Sequence, residues 1–172
     1  QGKPGWVQDL PGLRVKSRAE GLQFSRDKAP AEPDDNEVEI PLSLGVWQEI
    51  PVLKLKIGLW KSKGFDFLTV GKESEIAVFG LELEEQALHC RTRRQGDKMW
   101  FRGIGHKSLK KVFQEAKIED KARQKIPLIA CGSEILWIPG VRRSGRYPAE
   151  DNEEKIVCVL TRQAVRSNLD SL

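Results

Sequence analysis

Cysteine is scarce in this sequence, and its placement excludes two common uses of the residue. Cys90, Cys131 and Cys158 are an odd number of thiols, lie far apart and include no CxxC pair. A structural zinc site or a disulfide framework needs closely spaced or paired thiols. We therefore predict free thiols in a reducing compartment. At 172 residues the chain can bury a core without disulfides.

Long apolar runs are also absent. No stretch approaches the roughly 20 apolar residues that a membrane helix needs, and the N-terminus lacks the apolar segment of a signal peptide. These absences favour a cytoplasmic protein that does not enter the membrane. The chain begins at Gln1 and not at a methionine, which suggests a part of a longer protein.

Motifs of common catalytic chemistry are missing as well. The sequence contains no phosphate-binding glycine motif of the Walker or dinucleotide type and no nucleophile elbow. Its two histidines, His89 and His106, have no recognisable acid or metal partner. We therefore predict that this chain alone is not an enzyme, has no catalytic residue and binds no metal or cofactor.

Positive charge is present in excess, and it is concentrated in one stretch. Residues 91–125 contain 12 lysines and arginines and 4 acidic residues, a balance of +8, whereas the rest of the chain carries −4. Charge segregated in this way creates a positive field over one surface. Such a field attracts polyanions, above all the phosphate backbone of a nucleic acid.

Composition divides the chain into two predicted parts. Residues 1–37 are expected to form an extended N-terminal arm with a hairpin-like turn near residues 19–21, followed by a linker, KAPAEPDDNE, at 28–37. Residues 38–172 are expected to form the main domain.

Alternating apolar residues predict strands in the main domain. Leu53, Leu55, Ile57 and Leu59 alternate with polar or small residues, which is typical of a strand with one buried face. Further strands are expected at residues 65–70, 75–80, 87–93, 126–130, 135–139 and 155–160. The connection CGSE should join the strands at residues 126–130 and 135–139 as a hairpin. Both of these strands are apolar enough to be central in the sheet.

One segment has a clear helical period. Leu109, Val112, Phe113 and Ala116 fall on one stripe, and Ser108 can cap the helix that presents them. A second short helix is expected at residues 119–125. Together these elements predict an α+β fold, a mixed or antiparallel β-sheet with a short helical pair.

The opposite face of the first helix is cationic, and more basic residues precede it. We predict a phosphate site at the helix start, where free N–H groups, the backbone of Gly103 and Gly105 and nearby lysines would meet an anion. The predicted phosphate contacts are Arg91, Arg93, Arg94, Lys98, Arg102, Lys107, Ser108, Lys110, Lys111 and Lys117. The candidates for additional RNA contacts are Trp100, His106, Arg142 and Arg143. Trp100 could stack on an exposed base. Arg146 forms a second basic cluster with Arg142 and Arg143. Each of these side chains has a plain alternative, since aromatic residues often fill a core and lysines often serve solubility.

Four motifs occur in a characteristic order: RTRRQGD, GHKSLKKVFQEAKI, RQKIPLI and EILWIPG. This series resembles the C-terminal region of tRNA(Ile)-lysidine synthetase of bacteria and organelles. The strong resemblance covers residues 88–147, and a weaker one extends back through DLPGLRV and GLQFS. The stretch KMWFRG departs from the family, which usually has a basic residue, an aromatic residue and a proline there.

The resemblance implies a function. The family converts the wobble cytidine of the minor isoleucine tRNA with a CAU anticodon to lysidine, using ATP with Mg and L-lysine. Its chemistry resides in an N-terminal PP-loop domain whose SGGxDS-type motif this sequence lacks. By resemblance, the present chain is the noncatalytic region that grips the tRNA acceptor stem, with a fold like that of the PheT/TilS-type accessory domain. Its partners would be that tRNA and the catalytic domain of the same protein, in the bacterial cytoplasm or in an organellar matrix or stroma.

A different class of function remains open. The basic face could instead dock on an acidic surface of the chain's own catalytic domain or of another protein. Salt-sensitive binding of free tRNA by the isolated chain would distinguish RNA binding from docking.

Overall fold

The computed structural model describes residues 37–163 continuously and, before them, the backbone of three strands. The chain forms two compact units, Gln1–Asp35 and Asn36–Leu172. In the first unit, β1 (Val7–Leu10), β2 (Leu13–Arg18) and β3 (Gly21–Arg26) form an antiparallel sheet in that order. Arg18 pairs with Gly21, as a hairpin near residues 19–21 requires. Residues 19 and 20 of that turn, and the predicted linker apart from Glu37, lie outside the described residues.

The second unit contains two β-sheets. The large sheet consists of β4 (Glu39–Pro41), β8 (His89–Arg91), β9 (Lys98–Phe101), β10 (Gly105–Ser108), β11 (Leu128–Cys131), β12 (Glu134–Ile138) and β13 (Arg142–Arg143). The small sheet consists of β5 (Trp47–Ile50), β6 (Leu55–Lys61), β7 (Ser74–Gly80) and β14 (Lys155–Arg162). The strand orders are β10-β9-β12-β11-β8-β4, with β13 also on β12, and β5-β6-β14-β7. Within the described residues, these strands pair antiparallel except β12 with β9, and an isolated bridge between Leu44 and Leu59 is also parallel.

Two helices and four 3-10 turns complete this unit within the described residues. The helices are α1 (Leu109–Glu115) and α2 (Asp120–Arg123). The 3-10 turns are Pro51–Leu53, Ser62–Gly64, Phe67–Thr69 and Leu81–Glu85. The α+β prediction is therefore confirmed. No helix in the described part of the chain is long and apolar enough to span a membrane.

The large sheet is covered on both faces, which explains its continuous apolar strands. Along β11, Leu128 and Ala130 pack with the buried residues of α1, whereas Ile129 between them packs with the small sheet. The predicted hairpin is confirmed, because β11 and β12 pair antiparallel across the CGSE connection. The helix, the large sheet and the small sheet thus form three layers.

Helix α1 forms where the sequence predicts it. Leu109, Val112 and Phe113 are buried, and each such side chain contributes roughly 1.5–3 kcal/mol. Ala116 lies beyond the last helical turn and is exposed, so the buried part of the predicted apolar stripe ends at Phe113. The Lys111 amide donates to the Ser108 hydroxyl oxygen at 3.3 Å, which makes Ser108 the N-cap.

Replacing this cap should weaken the fold moderately. We expect Ser108→Ala to lower the free energy of unfolding by about 1 kcal/mol, because a helix-start amide loses its partner. Equilibrium urea unfolding measures the change. An unchanged midpoint with an unchanged slope would show that water replaces the hydroxyl without cost.

The predicted strand at residues 65–70 is wrong. That segment contains the 3-10 turn Phe67–Thr69, and the Asp66 carboxylate accepts a hydrogen bond from the Leu68 amide at 2.9 Å. This local bond competes with a strand ladder. The remaining predicted strands exist with shifted ends, and Leu53 belongs to a 3-10 turn that precedes β6.

Candidate nucleic-acid interface

A groove of about 350 Å³ lies where the loop before β9 meets the start of α1. Five of its lining residues are lysine or arginine, and its only carboxylate belongs to Asp97. The lining residues are Arg93, Arg94, Gln95, Gly96, Asp97, Lys98, His106, Lys107, Ser108, Leu109 and Lys110. Seven of these are predicted site residues, which the fold brings together from two segments of the chain. We call this feature the basic groove.

Asp97 holds the basic groove in shape. Its carboxylate accepts two hydrogen bonds from the Arg91 guanidinium, at 2.9 and 2.7 Å, and one from the Arg94 amide at 2.7 Å. Its carbonyl oxygen accepts the Leu109 amide at 2.8 Å. Asp97 therefore ties β8, the loop and the first residue of α1 together, and its charge is neutralised by the buried Arg91.

Arg91 is not available as a phosphate contact, which corrects the sequence prediction. Its side chain is 2% exposed, and its guanidinium also donates to the carbonyl oxygens of Thr92 and Gly132. A charge buried so completely has to be paired. Arg91 belongs to the support of the basic groove rather than to its surface.

Arg94 stands at the rim with two carboxylates. Its guanidinium donates to Glu37 at 2.8 Å and to Glu39 at 2.6 Å. The hydrogen bond with Arg94 lowers the pKa of Glu39, and the same pair raises the pKa of Arg94. Arg94 is partly exposed and can reach an anion only by exchanging these partners.

Two other groove residues are also paired. The Lys107 ammonium lies 3.1 Å from a Glu115 oxygen and 5.3 Å from the centre of the Phe101 ring. His106 Nε2 lies 3.0 Å from Glu134 Oε2. Both side chains therefore already accommodate a carboxylate, and the oxygens of a phosphate could replace it.

Glu134 provides a pH-dependent contribution to stability. Burial raises its pKa, but the hydrogen bonds from His106 and Arg146 outweigh burial, and the pKa lies below the ordinary 4.5. A carboxylate with a lowered pKa in the folded state stabilises the fold above its unfolded pKa and loses that contribution as pH falls through its folded pKa.

We expect the stability advantage of the wild type over Glu134→Gln to be largest near pH 6 and to shrink below about pH 4.5. Urea unfolding of both proteins at a series of pH values measures this difference. An advantage that stays constant down to pH 3 would show that Glu134 acts through shape and not through charge.

Lys98, Lys110 and Arg93 differ from these paired residues. Within the described part of the chain the structure records no ion pair for any of the three, and Lys98 and Lys110 are exposed. These two lysines bring a net positive charge to the basic groove from both of its walls, β9 and α1. They are its most accessible cations.

The other predicted contacts lie outside the basic groove. Lys111 is exposed on α1, Lys117 follows the end of that helix with φ +56°, and Arg102 is exposed in the turn between β9 and β10. Gly103 and Gly105 have φ of +78° and +94°, which that turn requires and which glycine adopts without strain. Since the turn lies at the other end of the hairpin from Ser108, the predicted glycine backbone site at the helix start is wrong.

The basic cluster after β12 divides into different roles. Arg142 is exposed, with its guanidinium 5.6 Å from the centre of the Phe101 ring. Arg143 donates to the carbonyl oxygens of Val78, Ser144 and Tyr147, and burial lowers its pKa. Arg143 therefore joins the two sheets and is not free to contact RNA, contrary to the sequence prediction.

Sequence reasoning missed the organising role of Asp97. The available signal was its position, because Asp97 is the only acidic residue between Arg91 and Glu115. An isolated carboxylate in a basic stretch has several candidate partners, and only the fold selects Arg91 among them.

Comparison with known proteins identifies the class of domain. Residues 88–160 match the family model described as the TilS substrate C-terminal domain. A solved structure described as "Crystal structure of TILS C-terminal domain" superposes with a TM-score of 0.56 at 27% identity, covering 76% of this chain and 99% of that one. The second unit with its basic groove is thus a domain of this type.

Curated proteins of similar sequence point to the same type of protein. The tRNA(Ile)-lysidine synthase of Geobacillus kaustophilus strain HTA426 is 30% identical over 97% of this chain and 35% of its own length. The synthase of Clostridium acetobutylicum is 41% identical over 48% of this chain and 18% of its own length. Together, these matches support a TilS C-terminal region for this chain. The chain spans about a third or less of the length of these relatives.

Proposed function

We propose that the basic groove binds the phosphate backbone of tRNA, as the noncatalytic part of a tRNA(Ile)-lysidine synthase. The observation that carries this proposal is the convergence of five lysines and arginines on one depression, whose one lining carboxylate, Asp97, is neutralised by Arg91. Lys98, Lys110 and Arg93 have no carboxylate partner among the described residues, whereas Arg94 and Lys107 do. Phosphate contacts supply most of the sequence-independent affinity of proteins for nucleic acids. The name of the relatives, with its reference to tRNA(Ile), supports tRNA as the polyanion.

Within this proposal the groove residues have different tasks. Lys98 and Lys110 make the primary phosphate contacts because they are exposed and carry no carboxylate partner in the described structure. Lys107 and Arg94 contribute after exchanging their carboxylates. Lys111, Lys117 and Arg102 extend the positive field beyond the groove. Interactions of this kind position an RNA without reading its bases.

The finer assignment follows the family resemblance. We propose that the bound RNA is the minor isoleucine tRNA and that the acceptor stem is the part gripped here. ATP with Mg and L-lysine would bind to the catalytic domain of the full-length protein, and this chain would supply affinity and not chemistry.

Binding of the purified chain to minor isoleucine tRNA and to an isolated acceptor-stem hairpin tests this proposal. We expect similar affinities for both RNAs, falling steeply between about 50 and 200 mM salt, as phosphate contacts require. Absence of binding to either RNA at low salt would refute it.

Docking on an acidic protein surface is the second candidate. One observation favours it: Arg94, Lys107 and His106 each hold a carboxylate from this chain, so the groove residues suit acidic side chains. A docking domain would leave free tRNA unbound and would associate with the catalytic domain in a salt-dependent manner.

A further inference from the structure

Trp100 lies beside the basic groove on the same face of the β9–β10 hairpin. It is paired in register with His106, and Lys98 is paired with Ser108. Side chains two residues apart on a strand share a face and are about 7 Å apart. Lys98 and His106 line the groove, so the indole of Trp100 is the next side chain along this face.

The indole carries a guanidinium on one of its faces. The Arg146 guanidinium carbon lies 5.2 Å from the centre of the Trp100 ring, within the range of a cation–π contact. The Arg146 side chain is 45% exposed. The two groups therefore form a cation–π pair, in which the planar, positively charged guanidinium of Arg146 is accessible from outside.

Hydrogen bonds hold the Arg146 side chain and the backbone of Trp100 in place. One carboxylate oxygen of Glu134 accepts a hydrogen bond from Arg146 Nε at 3.0 Å, and the other lies 3.0 Å from His106 Nε2. The Ser144 hydroxyl accepts the Arg146 amide and donates to the Trp100 carbonyl oxygen.

A close backbone approach also fixes the indole. The backbone of Gly145 comes so near that a Cβ there would lie 2.9 Å from an indole carbon of Trp100. A ring and a guanidinium fixed in this way lose little entropy when a further planar group stacks on them.

We propose that Trp100 and Arg146 form a stacking site for one unpaired nucleobase of an RNA whose backbone lies in the basic groove. This inference rests on the proposed RNA binding of that groove. Guanidinium and indole planes are the usual platforms for splayed-out bases in RNA recognition. A paired base is enclosed in its helix, so the ligand is an RNA stem that ends in, or bulges out, an unpaired nucleotide.

Three kinds of hairpin RNA separate this site from the groove. The first ends in a blunt stem, the second carries one unpaired nucleotide, and the third carries an abasic residue at the same place, with the 3′ and the 5′ side tested separately. Binding of the blunt RNA reports the groove alone. On one of the two sides, we expect the RNA with the unpaired base to bind about 5- to 10-fold more tightly than the RNA with the abasic residue.

Arg146→Lys is the decisive variant, because it keeps the charge and removes the plane. We expect it to abolish the preference for the base while leaving blunt-stem affinity within about twofold. Arg142→Lys is the matched control, since Arg142 is an exposed neighbouring arginine that lies over Phe101 rather than over Trp100, and it should keep the preference. Trp100→Leu should also abolish the preference, provided that its unfolding curve shows a native fold.

Equal affinity of the wild type for base and abasic residue on both sides would overturn the stacking site while leaving the groove proposal standing. Survival of the full base preference in Arg146→Lys would overturn it too. Failure of the wild type to bind even the blunt stem would overturn both proposals.

Discussion

Replacing Asp97 with alanine should lower the free energy of unfolding by about 3–5 kcal/mol. The Arg91 and Asp97 side chains are each 2% exposed, so the variant leaves a guanidinium buried without its counter-charge. The Arg94 amide is deprived of its acceptor by the same substitution. Because small domains are stable by only about 5–15 kcal/mol, urea unfolding should show a large shift in midpoint.

A second variant distinguishes the loss of the ion pair from other effects of removing Asp97. Arg91→Met combined with Asp97→Ala removes the buried charge, and we expect this double variant to be more stable than Asp97→Ala. Asp151→Ala is the control, because Asp151 is exposed and its replacement should change stability by less than about 0.5 kcal/mol. A decrease below about 1 kcal/mol in Asp97→Ala would show that Arg91 reaches water.

Local patterns predicted the elements that local physics determines. The stripe of Leu109, Val112 and Phe113 and the cap of Ser108 lie within a few residues of one another, and α1 forms as expected. The alternation of Leu55, Ile57 and Leu59 predicted β6 for the same reason. The strand predicted at residues 65–70 does not form, because the Asp66 carboxylate accepts a hydrogen bond from the Leu68 amide and so competes with strand pairing.

The candidate site was predictable in composition but not in exposure. A basic stretch indicates a positive surface, yet Arg91 and Arg143 look like Arg93 and Arg142 in sequence and differ only in what the fold places against them. Arg143 meets Val78, 65 residues earlier in the chain, and Arg94 meets Glu39, 55 residues earlier. Pairings of that separation follow from sheet topology, which charge patterns do not encode.

Lys98 and Lys110 should have the largest effect on RNA affinity. We expect Lys98→Ala with Lys110→Ala to weaken binding about 10- to 100-fold at low salt, because two exposed cations leave the basic groove. The slope of log affinity against log salt should fall by roughly 1.4–1.8, at about 0.7–0.9 for each of the two phosphates that the protein no longer neutralises. Titration of labelled tRNA at several salt concentrations measures both quantities.

A matched charge change elsewhere is the control for this pair of lysines. Lys63→Ala with Lys72→Ala removes the same two charges from exposed positions beside the small sheet. The long-range field falls equally in both double variants, but only the groove variant should neutralise fewer phosphates, so only its salt slope should fall by the full amount. Equal decreases of affinity and slope in the two double variants would mean that net charge, and not the basic groove, binds the RNA. A normal slope in the groove variant would remove Lys98 and Lys110 from the interface.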